Sequence, residues 1–147
     1  MKILSINIRG LGAVPKKVAL KRLITTMSST VLLIKETLTK GNKAEEMVKE
    51  CIKDWGMMSN DADGHLGGTL IAWSPALKMI SVQIFETTMG TVLEDSETGK
   101  KYMILNVYGP FYDRKTFWEK LKDSRALEFQ NLILGGDLNL SLSSNEV

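Results

Sequence analysis

The sequence predicts an α/β sandwich. Three observations predict it: strand-like and helical periodicities alternate at the start of the chain, strand-like runs crowd its middle, and a helix–strand pair follows them. A doubly wound parallel sheet would keep alternating. The strand-rich middle instead predicts a mixed sheet, or two sheets packed together, with helices outside.

Lys2 to Ile8 is a short β-like run, broken by Gly10 and Gly12, and Pro15 is placed to open a helix. In that helix Leu20, Leu23, Ile24 and Met27 follow i, i+3, i+4, i+7 spacing and make one apolar face, with Lys16, Lys17, Lys21 and Arg22 largely off it. Val31 to Ile34 is a continuous apolar run of buried-strand type, with Glu36 just past its end. Asn42 is a candidate cap for a second helix, with Glu45 three residues on; Met47, Val48, Cys51, Ile52 and Trp55 line its inner side, and Gly56 suits the exit. Asn60 to Gly68 reads as a polar loop, and Thr69 to Trp73 as a strand ended by Ser74-Pro75. Ile80, Val82 and Ile84 alternate with Ser81 and Gln83, which predicts a half-buried strand. Thr91 to Leu93 and Tyr102 to Val107 flank a turn at Glu97-Thr98-Gly99-Lys100, so a hairpin is expected. Asp113 can cap a helix carrying Phe117, Trp118 and Leu121, and Leu132 to Leu134 is a last strand running into Gly135-Gly136-Asp137.

Composition narrows the class. At 147 residues, 44% hydrophobic and 24% charged, the chain suits one soluble globular unit with a real core. No apolar run approaches the roughly 20 residues of a membrane helix. The lone Cys51 cannot form an internal disulfide, which points to a reducing, intracellular compartment, nuclear or cytoplasmic. One His and one Cys leave no structural zinc site. Residues 1–53 carry 11 Lys/Arg against 4 Asp/Glu, and residues 54–147 carry 8 against 13, so the net +2 hides a basic first third. That region either attracts a polyanion or is a solvated helix face.

Four segments end strands with polar residues: Ser5-Ile6-Asn7, Lys35-Glu36-Thr37, Asn106-Val107-Tyr108-Gly109 and Gly136-Asp137-Leu138-Asn139. Sites in open α/β sheets assemble at strand ends. Two carboxylates, several carboxamides and a phenol suit Mg²⁺ and a phosphodiester, because hard cations prefer oxygen ligands. Taken singly, each also has a plain reading: Glu36 as a cap or exposed carboxylate, Asn7 and Asn106 satisfying backbone groups, Tyr108 at the core edge, Gly-Asp-x-Asn as a turn.

Their order along one chain resembles the endonuclease/exonuclease/phosphatase superfamily, the exonuclease III and DNase I-like enzymes. The opening Asn7-Ile8-Arg9-Gly10-Leu11-Gly12 and the later Asn106-Val107-Tyr108-Gly109-Pro110 look especially like endonuclease domains of non-LTR (LINE-type) retrotransposons. The resemblance covers the whole chain and also takes in Leu33-Ile34-Lys35-Glu36-Thr37, Gly67-Gly68 with Trp73, and Leu134 to Asn139. It implies a four-layer α/β sandwich of mixed sheets with outer helices, and a divalent-metal-dependent phosphodiesterase that hydrolyses DNA in one step using water. Glu36 would ligate Mg²⁺ or Mn²⁺ with Asn7 beside it, Tyr108 would contact the scissile phosphate, Asp137 would orient or deprotonate the water, and Asn139 would hold a phosphate oxygen. DNA is the expected partner, and no membrane is expected.

Three departures accompany the resemblance. Ile6 stands where the family usually carries Trp, and Lys35 where it usually carries Gln, so an inward Lys35 would weaken metal binding while an outward one would not. The family's closing Ser-Asp-His segment has no counterpart, so residues 1–147 are expected to be one partial domain of a truncated sandwich. His65, in a mid-chain loop, is expected at the surface and does not replace the missing imidazole. Losing a general acid/base costs about 10²–10⁴ in rate, so impaired turnover is expected. Leu138, Leu140 and Leu142 would trail past an uncovered strand surface. A degenerate retroelement product without turnover, or a family phosphatase acting on another phosphoester, are the alternatives.

Overall fold

The computed structural model describes residues 1–139 apart from 41, 64, 65 and 86. His65, Leu140 and Leu142 lie outside the described residues. The elements run β1 (Ile3–Asn7), α1 (Val14–Met27), β2 (Val31–Lys35), α2 (Lys43–Lys49), β3 (Gly56–Asp63), β4 (Leu66–Trp73), β5 (Leu77–Phe85), β6 (Thr88–Asp95), β7 (Lys101–Tyr108), α3 (Arg114–Asp123) and β8 (Leu132–Asp137). They form two four-stranded mixed sheets, ordered β1-β2-β4-β3 and β5-β6-β7-β8. In each sheet one parallel pair, β1 with β2 and β7 with β8, directs its C-terminal ends the same way.

Side-chain alternation assigns the layers. On the outer face of the first sheet Leu32, Ile34, Leu70 and Ala72 pack under Leu20 and Ile24 of α1 and under Ala44 and Val48 of α2. Between the sheets Val31, Leu33, Ile71 and Trp73 meet Leu77, Met89, Leu93 and Ile104. On the outer face of the second sheet Met103, Leu105 and Val107 receive Phe117 and Leu121 of α3. The result is the helix–sheet–sheet–helix layering expected from the resemblance. Each fully buried Leu or Ile contributes roughly 1.5–3 kcal/mol, and β2 is buried at all 5 of its positions.

Three local expectations are corrected. Residues 60–63 and 66–68 of the expected loop are strand: Asn60 pairs with Thr69 and Ala62 with Gly67, so tertiary pairing overrides weak strand propensity. Gly56 does not close a helix but opens β3, where a Cβ would collide with the Trp73 indole. Ile80, Val82 and Ile84 are 43%, 40% and 53% exposed, because β5 is an edge strand and a bulge between Met79 and Ser81 breaks its alternation. The 97–100 hairpin forms as expected, with Asp95 Oδ1 accepting the amides of Glu97 and Thr98. No helix among the described residues is long and apolar enough to cross a membrane.

Candidate functional site

Reading the inward positions strand by strand explains where polar side chains collect. In β1 they are Ile3, Ser5 and Asn7, and their partners in β2 are Val31, Leu33 and Lys35. In β7 they are Ile104, Asn106 and Tyr108, and their partners in β8 are Ile133, Gly135 and Asp137. Each series begins apolar and ends polar or charged at the C-terminal end of its strand. Both parallel pairs end together, so the polar ends meet at one mouth of the sandwich.

The contacts at that mouth are direct. Asn7 Nδ2 donates to Glu36 Oε1 at 2.7 Å, and the Tyr108 phenol donates to the same oxygen at 3.3 Å. This joins β1, the residue following β2, and β7, across 72 residues of sequence in the last case. Burial, then the Glu36 charge and hydrogen bond, then the Asp137 charge, all push the Tyr108 phenol above its ordinary range. It is therefore a hydrogen-bond donor here rather than a base.

The backbone beneath these side chains is bent. Arg9, Glu36 and Asn139 have φ of 48°, 52° and 47°. Left-handed conformations cost a non-glycine residue about 1–2 kcal/mol, and such strain concentrates at functional sites. The bends are held from outside. Gly10 N–H donates to Glu36 O at 2.7 Å, Lys16 Nζ donates to Ile8 O at 3.0 Å and also reaches Arg9 O, and Arg9 N–H donates to Asn7 Oδ1 at 3.2 Å.

Asp137 and Asn139 form the other wall. Gly109 N–H donates to Asp137 O at 2.7 Å, Asn139 N–H to Asp137 Oδ1 at 3.2 Å, and Asn139 Nδ2 to Gly109 O. Asn139 thus clamps the segment after Asp137 to the one after Tyr108. The structure brings Asn7, Glu36 and Tyr108 into contact, and the Asp137 charge acts on Tyr108. Asn139 is tied to Asp137 and Gly109, with no hydrogen bond to Glu36.

The sequence reading left two side chains open: Asn106, with satisfying backbone groups as its plain reading, and Lys35, with its direction undecided. Asn106, fully buried, donates through Nδ2 to the carbonyls of Ile34 at 3.0 Å and Leu70 at 3.1 Å. It staples the two sheets directly below the mouth, and its Oδ1 has no partner among the described residues. Lys35 turns inward, is 3% exposed, and donates to Ser5 Oγ at 2.5 Å, with Leu33 O at 3.5 Å. Burial lowers its pKa to about 8, while the Asp137 charge acts in the opposite sense. The i, i+2 spacing of Ile104, Asn106 and Tyr108 carried the signal for the first. Nothing in the sequence chose between the two directions for Lys35.

Among the described residues no group of three or more His, Cys, Asp or Glu side chains gathers into a metal cage. Among the described residues the mouth offers oxygen ligands: the Glu36 carboxylate, the Asn7 carboxamide touching it, and Asp137 on the facing strand. That donor set fits a hard divalent cation, since Mg²⁺ commonly takes one or two carboxylates and keeps several waters.

No protein-family model and no curated protein sequence matches the chain. Solved structures do. An endonuclease/exonuclease/phosphatase protein from Bacteroides vulgatus superposes with a TM-score of 0.75 at 12% identity, over 97% of this chain and 67% of that one. The catalytic domain of human Nocturnin, with a bound sulfate anion, gives 0.68 at 12% identity, over 95% of this chain and 64% of that one. D. rerio TDP2 complexed with a single-strand DNA product gives 0.69 at 13% identity, over 95% of this chain and 60% of that one. The chain therefore spans 60–67% of the length of these structures. It has the DNase I-like fold of endonuclease/exonuclease/phosphatase proteins.

Proposed function

We propose that the chain carries part of a divalent-metal-dependent phosphodiesterase site acting on DNA, of the retrotransposon endonuclease type. The observation that supports it most is the convergence of Asn7 and Tyr108 on Glu36 Oε1, from strands of two different sheets. In this reading Glu36, with Asn7 beside it, holds Mg²⁺ or Mn²⁺, which neutralises charge on the phosphate when bound. Tyr108, held protonated, donates to a phosphate oxygen. Asp137 orients the attacking water, and Asn139 fixes the wall that carries it and holds a second phosphate oxygen. Residues 1–147 act as one partial domain in this account.

DNA is favoured over other phosphoesters by what lies just past Tyr108. Phe111 and Tyr112 are 56% and 88% exposed, and Arg114 follows them. Exposed aromatics beside a cation form the kind of platform on which single-strand bases stack, and the TDP2 neighbour holds a single-strand DNA product. A second reading, binding without turnover, is favoured by the Lys35 ammonium inside the site.

The test is supercoiled plasmid incubated with Mg²⁺, with Glu36→Ala and Asp137→Ala alongside and Mn²⁺ binding measured in parallel. Slow nicking that both substitutions abolish supports the enzyme. Mn²⁺ and DNA binding with no nicking supports the second reading. Nicking that survives Glu36→Ala, or no Mn²⁺ binding at all, rejects the site.

A further inference from the structure

The strand-end cluster contains a charge that the phosphodiesterase reading does not use. Lys35 precedes Glu36, and its side chain lies on the inward face between Asn7 and Thr69, its partners in β1 and β4. The chain bends back beneath the mouth, so the ammonium meets the Ser5 hydroxyl at 2.5 Å rather than solvent. Gly135 faces the same serine: a Cβ there would stand 2.7 Å from Leu33 Cδ1 and 3.7 Å from Ser5 Oγ. No carboxylate among the described residues lies within ion-pair distance of it. The opposing charge that acts on it belongs to Asp137, which stands at the same mouth as Glu36, the residue after Lys35 in the chain. Glu36, Asp137 and a charged Lys35 sum to one net negative charge; with a neutral residue at position 35 the sum would be two.

We propose that Lys35 sets the divalent-cation affinity of this site: its ammonium is a built-in positive charge that competes with the metal for Glu36 and Asp137. The inference rests on the reading of Glu36 as a metal ligand. Repulsion between a buried ammonium and a divalent ion acts through protein rather than water, so screening by salt is weak. A packing role alone would make the shape of Lys35 matter and its charge irrelevant, which separates the two accounts.

The experiment titrates Mn²⁺ into the full chain at fixed pH, following the free-ion electron paramagnetic resonance signal. It compares the parent with Lys35→Gln, Lys35→Met and Lys35→Arg, with thermal melts recorded for each. Lys35→Gln and Lys35→Met are expected to bind Mn²⁺ at least about tenfold more tightly, and Lys35→Arg no more tightly than the parent. Glu36→Ala added to Lys35→Gln is expected to abolish the gain, which locates the ion. Equal affinity in the parent and both neutral variants overturns the inference and leaves the metal reading intact. Binding in none of them overturns both. Tightening in Lys35→Arg as well would assign the effect to shape and reject the role of charge.

Discussion

The two ends of the layer between the sheets are built from the same strands with the same period, yet they do different work. One end is closed by Ile3, Val31, Trp73, Leu93 and Tyr102, all packed in one apolar cluster. The other ends in Asn7, Lys35, Thr69, Asn106, Tyr108 and Asp137, where Lys35, Thr69 and Asn106 are buried polar groups. Four residues along a strand separate the regimes, from Ile3 to Asn7, Val31 to Lys35 and Trp73 to Thr69. The apolar end supplies stability through area removed from water. The polar end spends some of it, on a buried ammonium, a carboxamide oxygen with no partner among the described residues, and bent backbone.

The contrast is sharpest where a core side chain is cut away. Leu33→Ala and Ile104→Ala, both fully buried between the sheets, are expected to cost about 2–5 kcal/mol in urea unfolding. A cost under about 1 kcal/mol would mean that the layer is not close-packed. Asn106→Leu comes next. It strips the Ile34 and Leu70 carbonyls of their donor and is expected to cost about 1–3 kcal/mol although it adds apolar surface. Unchanged stability would show that the staple is dispensable.

Lys35 gives the comparison a pH axis. Its folded pKa of about 8 lies below the ordinary 10.5, so between these values the unfolded chain holds the proton more tightly. Stability should then rise with pH across that window, and the burial penalty is fully present below about 8. Measured against Lys35→Met, the parent's deficit should shrink by roughly 1–2 kcal/mol between neutral pH and pH 10; a constant gap would contradict an inward ammonium. Glu36→Gln should shift stability by less than about 1 kcal/mol while removing Mn²⁺ binding, as function-bearing residues commonly do. Smallest of all is Ile84→Thr on exposed β5, expected within about 0.5 kcal/mol. A loss of 2 kcal/mol or more there would restore the burial that its alternation predicts.

That last case marks where the sequence was legible and where it was not. Runs such as Val31 to Ile34 announced buried strands because apolar pattern is local, and the layered architecture followed from their order. The motif residues Asn7, Glu36 and Tyr108 converge as the strand-end argument required. Alternation in β5 misled, since period reveals which residues share a face but not whether anything covers it. The pairing of β3 with β4 was missed because the polar residues 60–63 are held in a strand by pairing rather than by propensity. The inward direction of Lys35 is fixed by its bond to Ser5, 30 positions away in the chain, and no local signal could carry that.

Gly136 contributes no functional atom, yet it lies against the backbone of Val107, its partner on β7, and a Cβ there would run into the Val107 carbonyl. Backbone cannot step aside as a side chain can, so a methyl group would act as a wedge between β7 and β8, next to Tyr108 and Asp137. The aperture of the site is thus gauged by an omission, and an alanine scan confined to polar side chains would never find the residue that sets it.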